Sequence, residues 1–218
     1  MSPPSFRRTL IPLLMILALS ACGGDGDDTP SVPSSAVSGT AAVGAALSGA
    51  TVSVKCSGGN APGNATTTAA GGYTLTIPDA SFPCVLRVSG GNANAVANTL
   101  VLHSLAKGGG TVNITPLTDL ALARSIGTAA GQSMTTWFNT PSNWSQVSDG
   151  LTAALDALRQ ALDDAGYDLP ASWTAGSTTP LNSTFTPNPA TDPFDALLET
   201  IAEAIESSGA YEDYQALL

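Results

Sequence analysis

At 218 residues, with 43 % hydrophobic and only 11 % charged side chains, the chain has room for one or two small domains and excludes a large multidomain protein. Its net charge of −10 argues against nucleic acid or anionic lipid as a partner, because both need a basic face to neutralise phosphates.

Residues 1–9 carry Arg7 and Arg8 and no acid, and Leu10 to Leu19 form an apolar run broken by Pro12 and closed by Ser20. This is the charged, apolar, small-residue order of an export signal. A run of about ten apolar residues is too short for a hydrocarbon core, which needs roughly 20. The stretch Leu19-Ser20-Ala21-Cys22 resembles the lipobox of bacterial lipoproteins. That resemblance implies removal of residues 1–21, acylation of Cys22 and a membrane anchor made of lipid, at about 0.8 kcal/mol per buried methylene. With Arg7 and Arg8 gone, five basic residues face 17 acidic ones, a net charge of −12. Arg7-Arg8 could suggest twin-arginine export, but the flanking residues fit that signal poorly. Gly23 stands where inner-membrane lipoproteins commonly have Asp, which favours the outer membrane of a bacterial cell envelope.

From Cys22 to residue 35 the composition is that of a flexible tether, with no apolar period. Asp25, Asp27 and Asp28 lack the spaced acceptors and terminal Glu of an EF-hand, so a solvated tether is the better reading. With Cys22 acylated, Cys56 and Cys84 are an even pair in an oxidising compartment, and a disulfide is expected. On the loop-entropy model it would stabilise by roughly 3.5 kcal/mol. The alternative is two small buried hydrophobes.

From Val37 the pattern becomes short alternating runs between Gly-rich turns. Val52, Val54 and Cys56 alternate with Ser53 and Lys55, and Tyr73, Leu75 and Ile77 alternate with Thr74 and Thr76 after the Gly71-Gly72 turn. Further strands are expected at Val85 to Val88, at Leu100 to His103, and at Val112 with Ile114, giving about seven in an antiparallel sandwich. The order Val37-Ser38-Gly39-Thr40, Leu47-Ser48-Gly49-Ala50-Thr51-Val52-Ser53-Val54, Gly71-Gly72-Tyr73-Thr74-Leu75 resembles the carboxypeptidase regulatory-like, or transthyretin-like, β-sandwich domain. The resemblance covers about residues 37–90, extending at most to 115, and departs from the family at Thr66 to Thr68, where Thr-Asp is common. It implies an accessory or binding module without catalytic residues, related to carbohydrate-binding-like folds.

After Ile114 the period switches from two to 3.6. Thr115-Pro116 reads as N-cap and first helical residue, followed by Leu117, Leu120, Ala121 and Arg124 at helical spacing. A short helix is expected at Met134 to Phe138. A long one runs from Trp144 to Ala165, with Leu151, Leu155, Leu158 and Leu162 inward and Asp149, Asp156, Arg159, Gln160 and Asp163 in water, stopped at Gly166. Residues 167–191 read as a loop anchored by Trp173 and Phe185. Asp192-Pro193 restarts helix, with Asp195 completing a near capping box and Phe194, Leu197, Leu198, Ile201 and Ile205 inward. Gly209 stops it, and Tyr211, Tyr214, Leu217 and Leu218 follow.

Chemistry-bearing constellations are sparse. His103 is the single histidine, on an apolar alternation with Val101 and Leu102, so a structural role is expected; neither a zinc cage nor H-E-x-x-H can be assembled. Gly131-Gln132-Ser133-Met134-Thr135 lacks the last glycine and the preceding strand of a nucleophile elbow. The carboxylate pairs Asp163-Asp164, Glu203-Glu206 and Glu212-Asp213 fit solvated helix faces better than a glycosidase site. Trp137, Phe138, Trp144 and Trp173 read as core, and Tyr73 as a packed strand residue.

The chain is thus expected to be α+β: signal peptide 1–21, tether 22–35, β-sandwich 36–114 and α-helical region 115–218. No catalytic or metal-ligating residue and no cofactor are expected; the expected site residues are Cys22 for lipidation and Cys56 with Cys84 for the disulfide. The function expected is a non-enzymatic interaction or structural lipoprotein meeting an envelope protein or polysaccharide, with carbohydrate binding as the alternative.

Overall fold

A computed structural model describes residues 32–208, and strands precede helices in it, as the switch of period predicts. The calls at Cys22, Ile205, Gly209, Tyr211, Tyr214, Leu217 and Leu218, and at residues 1–31 generally, lie outside the residues or side chains described. The strands are β1 (Ser34–Thr40), β2 (Thr51–Cys56), β3 (Ala65–Thr66), β4 (Gly72–Pro78), β5 (Cys84–Ser89), β6 (Asn92–Ala93), β7 (Val96–Ala97), β8 (Leu102–Ala106) and β9 (Gly110–Thr111). A three-stranded sheet has the order β4-β1-β9, a four-stranded sheet the order β3-β2-β5-β8, and β6 and β7 form a small hairpin.

Two strand expectations shift. The run expected at Leu100 to His103 pairs two residues later, as β8, because its register with β5 sets Leu102 opposite Val88 and Ala106 opposite Cys84. The expectation of purely antiparallel pairing fails at β1 and β9, which run parallel, with Val112 N–H and Ile114 N–H continuing the ladder to Ser38 and Thr40 carbonyls. That approach depends on Gly39: a Cβ there would lie 1.8 Å from the Val112 carbonyl oxygen. Gly71 adopts φ +75°, and a Cβ on it would lie 2.5 Å from the Ala41 oxygen, so the turn into β4 also requires glycine.

The four-stranded sheet is covered on both faces. Val52, Val88 and Leu102 lie side by side and are fully buried, as are Cys84 and Ala106. On the opposite face Ser53, Arg87 and His103 form the next rung, and helices cover it. All five residues of β8 are therefore buried, where a one-sided strand would alternate.

The helices are α1 (Pro116–Ala130), α2 (Met134–Asn139), α3 (Trp144–Asp164), α4 (Thr179–Asn182) and α5 (Pro193–Ser208). Thr115 caps α1 in a reciprocal capping box with Thr118, and Pro116 occupies the first helical position. α1 buries more than one stripe, with Leu117, Thr118, Asp119, Leu120, Ala121 and Leu122 all inaccessible, because β8 and α3 both pack on it. Gly150 of α3 admits the close approach, since a Cβ would lie 2.8 Å from Ser125 Oγ, which donates to the Val147 carbonyl. Leu151, Leu155 and Leu158 face inward, and Gly166 follows α3 at φ +83°. Sequence reading missed α4, a single turn inside residues 167–191; Trp173 and Phe185 anchor that segment, at 2 % and 7 % exposure. Asp156 does more than face water: its carboxylate accepts from Gly176 N–H at 2.7 Å and holds the segment to α3. Strands and helices contribute to one continuous apolar core. Among the described residues no helix is long and apolar enough to cross a membrane.

Candidate functional site

Three places concentrate polar chemistry. The first is the seam between β8 and the helices. Because Arg87 and His103 face each other as a non-hydrogen-bonded pair, His103 directs its main-chain N–H and C=O away from β5. α1 meets both: Asp119 Oδ1 accepts from the N–H at 2.7 Å, and Thr118 Oγ1 donates to the carbonyl at 3.0 Å. The same Asp119 oxygen lies 2.7 Å from His103 Nδ1, and since a carboxylate only accepts, Nδ1 carries the ring proton. Phe138 of α2 packs against the imidazole at 5.1 Å with the two rings tilted by 55°, and Lys55 Nζ and the Arg87 guanidinium lie 4.6 Å and 4.7 Å from its ring centre. Lys55 also donates to the carbonyls of Phe138 at 2.7 Å and Asn139 at 3.3 Å, so a strand lysine caps the C-terminus of α2. A carboxylate orienting a histidine is half of a nucleophile-activating arrangement. Among the described residues, however, no hydroxyl or thiol hydrogen-bonds the other ring nitrogen.

The second is a shallow groove of about 570 Å³ on the three-stranded sheet. Ser38, Thr74 and Thr111 line it as a single rung across β4, β1 and β9, flanked by Thr40, Thr66 and Thr68. Alternation makes this set inevitable: Val37, Leu75 and Ile77 point to the core, so the threonines between them point to water. Asn113 builds one wall: its Oδ1 accepts from Thr40 N–H, and its Nδ2 donates to the Ser183 carbonyl at 2.6 Å, which sets Thr184 at the rim. The lining carries hydroxyls and one amide and no charge. Tyr73 adjoins it but is buried, its hydroxyl donates to the Val112 carbonyl, and burial pushes the phenol well above its ordinary range.

The third is Asp195. Asp192 caps α5 as expected, accepting from Phe194 N–H at 2.9 Å and Asp195 N–H at 3.4 Å. The expected near capping box is only half made, because Asp192 N–H donates to the Asn188 carbonyl and not back to the Asp195 carboxylate. Asp195 is fully buried and neither carboxylate oxygen has a donor. Burial first, then the negative charges of Glu199 and Asp192, push its carboxyl up to about 7.

Cys56 and Cys84 are bonded to each other, at directly opposed positions of β2 and β5. Ser133 is the N-cap of α2, accepting from Thr136 N–H, and Asp163 and Asp164 are exposed at the end of α3. The side chains of Glu203, Glu206, Glu212 and Asp213 lie outside those described. Trp137 is fully buried and donates to the Ser142 carbonyl, with Trp144 edge-on to it at 5.0 Å. Among the described residues no cluster of His, Cys, Asp and Glu could hold a metal ion. Sequence reading missed Asp119, Asn113 and the threonine groove. The signal for Asp119 was its place between Leu117 and Leu120, on the face the helix had to bury. No protein-family model and no curated protein matches this chain.

Proposed function

We propose that the protein is a lipid-anchored, non-enzymatic interaction module of the bacterial cell envelope, held at the outer membrane through Cys22. The two sheets are read as the transthyretin-like, carboxypeptidase regulatory-like sandwich. Supporting this, two of the motifs behind the resemblance lie side by side, Gly39 of β1 opposite Tyr73 of β4. The observation that carries the interaction reading is the groove: an open, uncharged row of hydroxyls on a sheet whose other face is committed to the core.

Carbohydrate is the second reading, and the lining favours it specifically. Hydroxyl and amide groups without charge match the donors and acceptors of a neutral saccharide. The anchor is tested by metabolic labelling with radioactive palmitate, which should enter the wild type and not Cys22→Ala; label in the variant would overturn it. For the groove, purified peptidoglycan and exopolysaccharide are titrated into wild type and Thr74→Glu. Saturable heat that the variant loses supports carbohydrate, and absence of heat with every polymer removes that reading.

A further inference from the structure

Charge is divided unevenly along the chain. Residues 32–114 carry Lys55, Arg87 and Lys107 against Asp79, a net +2, whereas residues 115–208 carry eleven acids against Arg124 and Arg159, a net −9. Two of the three cations of the strand region converge. Lys55 pairs across from Val85 and Arg87 from Ser53, so they are diagonal neighbours on one face of β2 and β5, and both reach the ring of Phe138. Among the described residues no carboxylate pairs with either, although the chain as a whole is strongly acidic.

The hydrogen-bond count is also open. Lys55 uses two of its three N–H groups on the carbonyls ending α2. Arg87 has a buried Nε with no acceptor, is half-buried as a whole, and holds its guanidinium over the ring. Like charges held over one ring repel, and an oxyanion accepting from both would relieve the repulsion. We propose that Lys55 and Arg87 form a binding site for a single oxyanion group, a carboxylate or a phosphate, next to Phe138. It lies on the four-stranded sheet, so it does not depend on the reading of the groove.

The test is NMR titration of the purified protein with inorganic phosphate and, separately, with acetate, at ionic strength held constant with chloride. Saturable shifts of the Arg87 Nε–H and the Asn139 amide are expected, with a midpoint of about a millimolar. Arg87→Gln should weaken binding about tenfold. Arg87→Lys keeps the charge and loses the fork, so intermediate affinity is expected, and it covers the case in which Arg87→Gln fails to fold. The stronger of the two anions identifies the source chemistry. Shifts linear in concentration, or equal binding by Arg87→Lys and wild type, would overturn the site and leave the cluster as a clamp on α2.

Discussion

One oxygen of Asp119 accepts both the main-chain N–H and the ring Nδ1 of His103, each at 2.7 Å. A carboxylate from α1 thereby closes the open edge of β8, where strand edges otherwise invite pairing with other chains. Asp119 and His103 are both buried, so each donor would be stranded without the other partner. Asp119→Ala should lower unfolding stability in urea by about 3 kcal/mol, the cost of orphaning two buried donors. An unchanged midpoint would show that the pair is dispensable.

Asp195 gives the protein an unusual response to pH. Its folded carboxyl sits at about 7, above the ordinary value of 3.8. Because the folded value is the higher one, its penalty is absent below about pH 4, grows as pH rises towards 7, and is constant above that. The loss above pH 7 is on the order of a few kcal/mol. Asp195→Asn should therefore be more stable than wild type at pH 8 and no more stable at pH 4. Parallel pH profiles of the two proteins would refute the assignment.

Reducing the Cys56–Cys84 bond frees a loop of 28 residues in the unfolded chain. Thermal unfolding with and without reductant should differ by roughly 3.5 kcal/mol at 25 °C, and Cys56→Ala with Cys84→Ala should match the reduced protein. If oxidised and reduced samples melted together, the bridge would contribute nothing.

Gly39→Ala places a methyl 1.8 Å from the Val112 carbonyl, which neither backbone can accept in place. It should cost about 3 kcal/mol or more and separate β1 from β9, visible as lost amide protection at Val112 and Ile114. Gly63→Ala meets nothing within 4 Å and serves as the neutral control.

Local periodicity made most of the elements legible. Val52, Val54, Leu75 and Ile77 announce their strands by alternation, Thr115-Pro116 announces α1, and Leu151, Leu155 and Leu158 announce α3, because burial of one face imposes a period on any sequence. The cysteine count also named the right partners, since Cys56 and Cys84 are both strand residues and stand opposite each other.

Tertiary structure alone decided what those elements do to one another. The parallel pairing of β1 with β9, the capping of β8 by Asp119, the convergence of Lys55 and Arg87 on Phe138, and the wall that Asn113 gives the groove all join residues distant in the chain. No periodicity encodes them. They depend on which faces meet once the apolar stripes have found a common core, and a residue's chemistry is then set by the neighbours that this meeting supplies.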